Sequence, residues 1–307
     1  MNMIYDLIII GSGPAGLSAA VYGKRAGLNL LVIEKNYMSG GQILNTYEVD
    51  NYLGMPGMNG FDMGMQFRAH ADKLEVEFAE GEVTGIENGS VKKILTTAGD
   101  YEAYAVILAM GAKHAHLNVP GEEKLSGKGV SYCATCDGAF YKNKTVAVVG
   151  GGDVALEDAA FLARYCERVY LIHRRDELRG AKILQKQLEA LGNVEILYSH
   201  TVQEICGEEQ VSSLLLENRK TAKQKELAVD GVFIAVGMLP ETGWVPDWIA
   251  KDEKGYLIGS EEGRTPAEGI FVAGDVRTKG LRQIITAVAD GANAAISAAT
   301  YVGQFGL

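Results

Sequence analysis

Unbroken apolar runs that end in glycine turns dominate the pattern of this chain, as buried parallel strands produce. The run IYDLIII at 4–10 enters Gly11-Ser12-Gly13-Pro14-Ala15-Gly16, a helical pattern continues to about residue 25, and a second run at 30–33 closes on Glu34. That order predicts a βαβ unit. A second unit is predicted from a strand at 145–149, a turn through Gly150-Gly151-Gly152, a helix over 154–165 and a strand at 168–172. Runs at 106–109 and 232–235 end in Met110-Gly111-Ala112 and Val236-Gly237, and read as strands returning to a nucleotide site. A strand at 269–273 leads into Gly274-Asp275, and a helix of small residues follows over 283–299. The internal repeat is therefore the βαβ unit itself, used twice.

Each glycine turn is a GxGxxG-type fingerprint with a strand before it and a helix after it, the context a dinucleotide site requires. Glycine permits the tight turn, lets pyrophosphate reach the backbone and allows close helix–strand packing. The helix N-terminus then offers N–H donors and a partial positive charge to phosphate. The two units differ at the end of their second strand. The first ends at Glu34, whose carboxylate suits ribose hydroxyls and repels a 2′-phosphate, so an unphosphorylated adenosine (FAD or NAD) is expected. The second has Ala155 in the last fingerprint position and ends at His173-Arg174-Arg175, with Arg179 one helical turn on. Planar guanidinium groups pair with phosphate oxygens two at a time, so NADP is expected there.

Composition narrows the picture. With 307 residues the chain is long enough for two cores, and 47% hydrophobic with 22% charged residues is the balance of a globular protein. A net charge of -10 argues against nucleic acid as partner. The apolar runs are strand-length, so no membrane span is expected. The first strand begins at once, without a basic region or cleavage site, and a cytoplasmic location is the expectation.

Between the two units lies Cys133-Ala134-Thr135-Cys136. A CxxC can be a redox pair or half of a zinc site, and tetrahedral zinc wants four ligands. Cys166 and Cys206 are isolated, and neither His114 nor His116 is placed by its spacing to complete a site, so no metal is expected. In a redox pair one thiolate attacks a partner disulfide and the other resolves the mixed intermediate. Asp137, next in sequence and before Gly138, reads either as a turn cap or as a general acid for the leaving thiolate.

GSGPAG, then GGQ at 40–42, CATCDG at 133–138, GGGDVALEDA, HRRDELR and GDVRTKGLRQI resemble, in this order, the bacterial low-molecular-weight thioredoxin reductases. The resemblance runs from about residue 4 to 299. It implies an α/β protein of two Rossmann-like, three-layer ββα nucleotide-binding domains, the second inserted into the first. Residues 1–113 and 241–307 would form the FAD domain, and 114–240 the NADPH domain with the dithiol. FAD contacts implied are Gly11, Gly13, Pro14, Ala15, Gly16, Glu34, Gly41, Gln42, Asn51, Gly111 and Gly274. Asp275 would hold the ribityl–pyrophosphate region, and Arg282, Gln283 and Ile284 would lie beside the flavin ring. NADPH would meet Gly150, Gly152, Asp153, His173, Arg174, Arg175 and Arg179. Cys136 would be the sulfur nearer the flavin, Cys133 the one that exchanges with thioredoxin, and Asp137 the general acid. A homodimer is implied, as is rotation of the inserted domain about hinges near 112–118 and 238–244. Three positions depart from the family pattern: Val154 for a Ser or Thr, Asp158 for a Glu and Gly180 for an Ala. Each is expected to weaken NADPH binding slightly, by about 1 kcal/mol per hydrogen bond lost. Relatives without the basic cluster take electrons from ferredoxin; the acceptor here must be a separate protein, and Lys128 is a candidate contact for it.

Overall fold

A computed structural model describes residues 3–46, 49 and 51–306, with the side chains of all but Asn45 and Cys136. The chain forms two units, one of Met1–Lys113 with Leu239–Leu307, the other of His114–Met238, inserted into the first.

In chain order the first unit opens with β1 (Ile4–Ile10), α1 (Pro14–Arg25), β2 (Leu30–Glu34), α2 (Gly60–Lys73) and β3 (Glu77–Glu80). An antiparallel pair, β4 (Val83–Glu87) and β5 (Lys92–Thr96), leads to β6 (Tyr101–Leu108). The apolar run of β1 is buried because β2 and β6 flank it in parallel, with Ile9 between Val32 and Ile107. The six strands lie in the order β3-β2-β1-β6-β5-β4.

The short β7 (Ala112–His114) enters the second unit. Its central sheet is parallel, with β11 (Val194–Tyr198), β10 (Arg168–His173), β9 (Thr145–Gly150), β15 (Gly231–Ala235) and β8 (Val130–Ser131) side by side in that order. In chain order the elements are β8, the one-turn α3 (Ala134–Asp137), β9, α4 (Asp153–Leu162), β10, α5 (Lys182–Glu189) and β11. An antiparallel meander follows, β12 (His200–Cys206), β13 (Ser213–Asn218) and β14 (Gln224–Ala228), before β15 returns beside β9. One face of the parallel sheet packs on the helices around Leu156, Leu162 and Phe233. The other packs on the meander around Leu214, Leu216 and Val232. That is the three-layer ββα arrangement expected.

The chain leaves through β16 (Met238–Pro240) and completes the first unit with β17 (Ile270–Val272) and α6 (Ile284–Val302). β17 adds in parallel to the C-terminal half of β6, while β5 pairs with its N-terminal half. The helix α6 lies on α1 at close range through small residues. A Cβ on Gly291 would come within 2.1 Å of the Ala15 carbonyl oxygen. Among the described residues, no helix is long and apolar enough to cross a membrane.

Candidate active site

In the first unit β1 ends at Gly11, whose φ of +100° and closeness to the end of β6 exclude any side chain; a Cβ there would stand 2.6 Å from the Ala109 carbonyl oxygen. Gly13 caps α1 with no side chain bonded to the first-turn amides, and Pro14 follows, so those N–H groups face outward unclaimed by a cap. Ala15 and Gly16 are buried in the first turn of α1, Gly16 against Gly11. Gly40 donates to the Ser12 carbonyl, which brings Gly41 to the turn, where its Cβ would stand 3.3 Å from the Gly13 Cα.

Glu34 ends β2 with both oxygens engaged. Oε2 accepts the Ser12 amide at 2.8 Å and the Ser12 hydroxyl at 2.7 Å, and Oε1 accepts the amide and side chain of Asn36. Ser12, which sequence reading passed over, therefore fixes the carboxylate at the mouth of the turn.

The loop after β17 closes this cradle. Gly274, with φ +78°, brings its Cα against Ala15. Asp275 follows it, and its Oδ1 is buried without a hydrogen-bond partner, with the Lys279 ammonium 3.8 Å away. Burial pushes its pKa up, while Lys279 and Arg282 oppose that. Beneath the loop Asp290 accepts the Gly274 amide, Arg277 Nε and Nη2, and Lys279 Nζ, all at 2.8–3.0 Å. A buried oxygen left unpaired is costly in a folded protein, so it marks a place for a polar group of a ligand. Arg282 donates to the carbonyl of Asp275 and lies over the Tyr256 ring at 4.1 Å. Gln283 is the N-cap of α6 in a capping box with Thr286, and its Oε1 accepts from Asn51 at 2.8 Å. Ile284 is the first residue of that helix. Gln42 Nε2 donates to the Ala112 carbonyl, next to Gly111 with its φ of +73°. The unclaimed helix amides and the glycine contacts fit a dinucleotide pyrophosphate such as that of FAD, and the orphaned Asp275 oxygen fits a hydroxyl group of the same ligand.

The second unit repeats the design. A Cβ on Gly150 would stand 2.4 Å from the Ala235 carbonyl oxygen, and Gly152 caps α4 with open space around it and no side-chain cap. Gly151 is the tightest of the three, since its Cβ would lie 2.1 Å from His173 Nδ1. His173, grouped by sequence with the arginines, is only 4% exposed and holds the turn from below, Nδ1 2.9 Å from the Gly150 carbonyl oxygen. It is the last residue of β10, and its ring lies directly beneath Gly151. Burial lowers its pKa, with the Gly150 carbonyl opposing and Arg179 and Arg175 adding to the shift. The side chains of Arg174, Arg175 and Arg179 are exposed. The segment 179–181 is tied to the turn, because Arg179 and Gly180 donate to the Gly151 carbonyl and Asp153 Oδ1 accepts the Ala181 amide at 2.7 Å. Val154 is 63% exposed in the first turn of α4, with no polar group to offer a ligand.

The dithiol segment lies between β8 and α3. Cys133 is disulfide-bonded and stands as the N-cap of α3; Cys136 is the third residue of that turn, and its side chain lies outside the described part. The Cys133 sulfur is 3.4 Å from the Thr135 hydroxyl. Asp137 is held by a residue that sequence reading missed: Ser131 donates its hydroxyl to Asp137 Oδ2 at 2.6 Å and accepts the Cys133 amide at 3.1 Å. The serine thus couples the carboxylate to the backbone of the first cysteine. Tyr132 donates to the buried Glu122 at 2.7 Å, and the His116 ring lies against both. Cys166 and Cys206 are free thiols, and burial pushes the Cys166 thiol up to about 11, which leaves it inert. Among the described residues no cluster of His, Cys, Asp or Glu could hold a metal ion.

Two Rossmann units, one inserted into the other, with a cysteine pair between the fingerprints, define a nucleotide-dependent disulfide oxidoreductase. The family model for pyridine nucleotide-disulphide oxidoreductases matches residues 5–291, and the chain belongs to that family. It is similar to the thioredoxin reductase of Treponema pallidum, 46% identical over 98% of each chain. The thioredoxin reductase of Listeria innocua is 45% identical over 98% of this chain and 95% of its own. Among solved structures, that of thioredoxin reductase from Streptococcus pyogenes aligns with a TM-score of 0.81 at 45% identity, covering 99% of this chain and all of the other.

Proposed function

We propose that the protein is an NADPH-dependent thioredoxin-disulfide reductase, with FAD held in the first unit and NADPH in the second. The observation that carries this reading is the pairing of a disulfide at Cys133 with an arginine-rimmed nucleotide turn in one inserted unit. Together the two bound nucleotides would supply an electron pair that opens the Cys133–Cys136 disulfide.

The remaining chemistry belongs to this chain. The Cys133 thiolate attacks one sulfur of the oxidised acceptor, a bond forms between them, and the acceptor's other sulfur leaves as thiolate and takes a proton. The Cys136 thiolate then attacks Cys133, re-forms the intramolecular disulfide and releases the second acceptor sulfur. Asp137, anchored by Ser131 beside this pair, is the group that delivers a proton to a departing thiolate. In the first unit the amides at the start of α1 would bind pyrophosphate, with Gln42, Asn51, Asp275, Arg282, Gln283 and Ile284 further along the same cofactor. In the second, Arg174, Arg175 and Arg179 would bind the 2′-phosphate, and Gly150, Gly152 and Asp153 the pyrophosphate. His173 would act there by shaping the turn. The inserted unit would rotate between half-reactions, and the reading has the enzyme work as a cytoplasmic homodimer. The acceptor, thioredoxin or a similar protein, would dock near the exposed Lys128.

The test is an anaerobic titration of the yellow protein with NADPH or NADH, then oxidised thioredoxin. NADPH should bleach the flavin and thioredoxin restore it. Cys133→Ser should keep its flavin and lose thioredoxin reduction by at least a thousandfold; undiminished reduction by that variant would sink the proposal. Bleaching by reduced ferredoxin but by neither pyridine nucleotide would replace NADPH as donor.

A further inference from the structure

The loop that carries Arg174 and Arg175 is not free-standing. Ser199, φ +58° and 6% exposed, donates its amide to the Arg175 carbonyl at 2.9 Å, and its own carbonyl accepts the Arg219 amide at 2.7 Å. Arg219 belongs to the tight turn between β13 and β14, whose conformation is set by Asn218: its Oδ1 accepts the amides of Lys220 and Thr221. From this turn two cations reach the end of β10. Arg219 Nη1 donates to the Arg174 carbonyl at 3.3 Å, and Lys220 Nζ pairs with Asp176 at 3.1 Å.

Two consequences follow from charge and geometry. A guanidinium has five N–H groups, and one bond to the Arg174 carbonyl leaves its other donors for an anion beside that residue. Asp176, next to the arginine pair, would repel such an anion, and Lys220 offsets that charge. An exposed pair of this kind adds little to stability, so its value lies in the local field.

We propose that Arg219 is a fourth cation of the 2′-phosphate site and a specificity-determining residue for NADPH over NADH, with Lys220 screening Asp176. This rests on the NADPH reading of the second unit. The site is thereby built from two segments, one at the end of β10 and one 45 residues later in the chain.

Calorimetric titration of the oxidised holoenzyme with adenosine 2′,5′-bisphosphate and with 5′-AMP tests it. Arg219→Ala should weaken the bisphosphate roughly tenfold, a loss of about 1.4 kcal/mol, and leave 5′-AMP unchanged. Arg219→Gln can still donate to the Arg174 carbonyl but carries no charge, and it should lose as much as the alanine variant. Wild-type binding of the bisphosphate by the glutamine variant would reduce Arg219 to a prop for the loop and overturn the inference alone. An equal loss for both ligands in Arg219→Ala would do the same. If the unaltered enzyme bound 5′-AMP as tightly as the bisphosphate, the NADPH reading itself would fall, and the inference with it.

Discussion

Asp158 sits half-buried on α4, and burial pushes its carboxyl up to about 7, with the neighbouring Glu157 adding in the same direction. An unfolded chain ionises this group near pH 4, while the folded one holds the proton to about 7. Its contribution to stability therefore declines as pH rises across that window and is flat above it. Asp158→Asn keeps the shape of the protonated acid without the titration. The variant should gain on the order of 2 kcal/mol over the parent at pH 8, after allowance for solvent screening, and less at pH 5. Melting temperatures at the two pH values check this; a difference of the same size at both would rule out the buried carboxylate as its source. Sequence marks Asp158 only as a departure from a family pattern. Its burial depends on how α4 lies against the sheet, which no local spacing reveals. The same holds for Ser131, whose grip on Asp137 spans six residues across the dithiol turn. It holds too for His173, which sequence groups with the arginines and the fold turns inward.

At the scale of elements the strand–turn–helix junctions are the most constrained. A Cβ on Gly16 would stand 1.8 Å from the Gly11 carbonyl oxygen, a contact with backbone that cannot be relieved by a rotamer change. Gly16→Ala should destabilise the first unit by about 1–3 kcal/mol and yield protein depleted of flavin. Gly152→Ala, where nothing lies within 4 Å of the added carbon, should fold normally. Flavin absorbance per chain and thermal melts separate the two, and retention of full flavin by Gly16→Ala would show that the turn yields. The first junction is legible in sequence because at Gly11 and Gly16 the backbone leaves no room for a side chain. The meander β12–β14 is not, since β14 reads QKELA with a single buried position, and paired edges rather than apolar content define it. Arg219 was out of reach for the same reason. A hairpin turn brings it to β10, and no motif in linear sequence spans that gap.

On the scale of the molecule, each unit carries its own cores, around Leu7, Ile9 and Ile107 in the first and around Val148, Leu171 and Phe233 in the second. The strand orders match as well, β3-β2-β1-β6 in one and β11-β10-β9-β15 in the other, each fed by a glycine turn. Two cores predict two unfolding steps. Adenosine 2′,5′-bisphosphate should raise only the step that belongs to the inserted unit, because a ligand stabilises the part that binds it. Scanning calorimetry with and without the bisphosphate shows this, and one transition that moves as a whole would mean the units melt together.

The strands at which the chain enters and leaves the insert pair with each other, and just inside them the Ala115 amide meets the Gly237 carbonyl oxygen at 2.9 Å. The insert therefore leaves and rejoins the chain of the first unit through one pair of adjacent strands. An insertion closed at its neck in this way can be exchanged or removed without re-routing the backbone on either side of it.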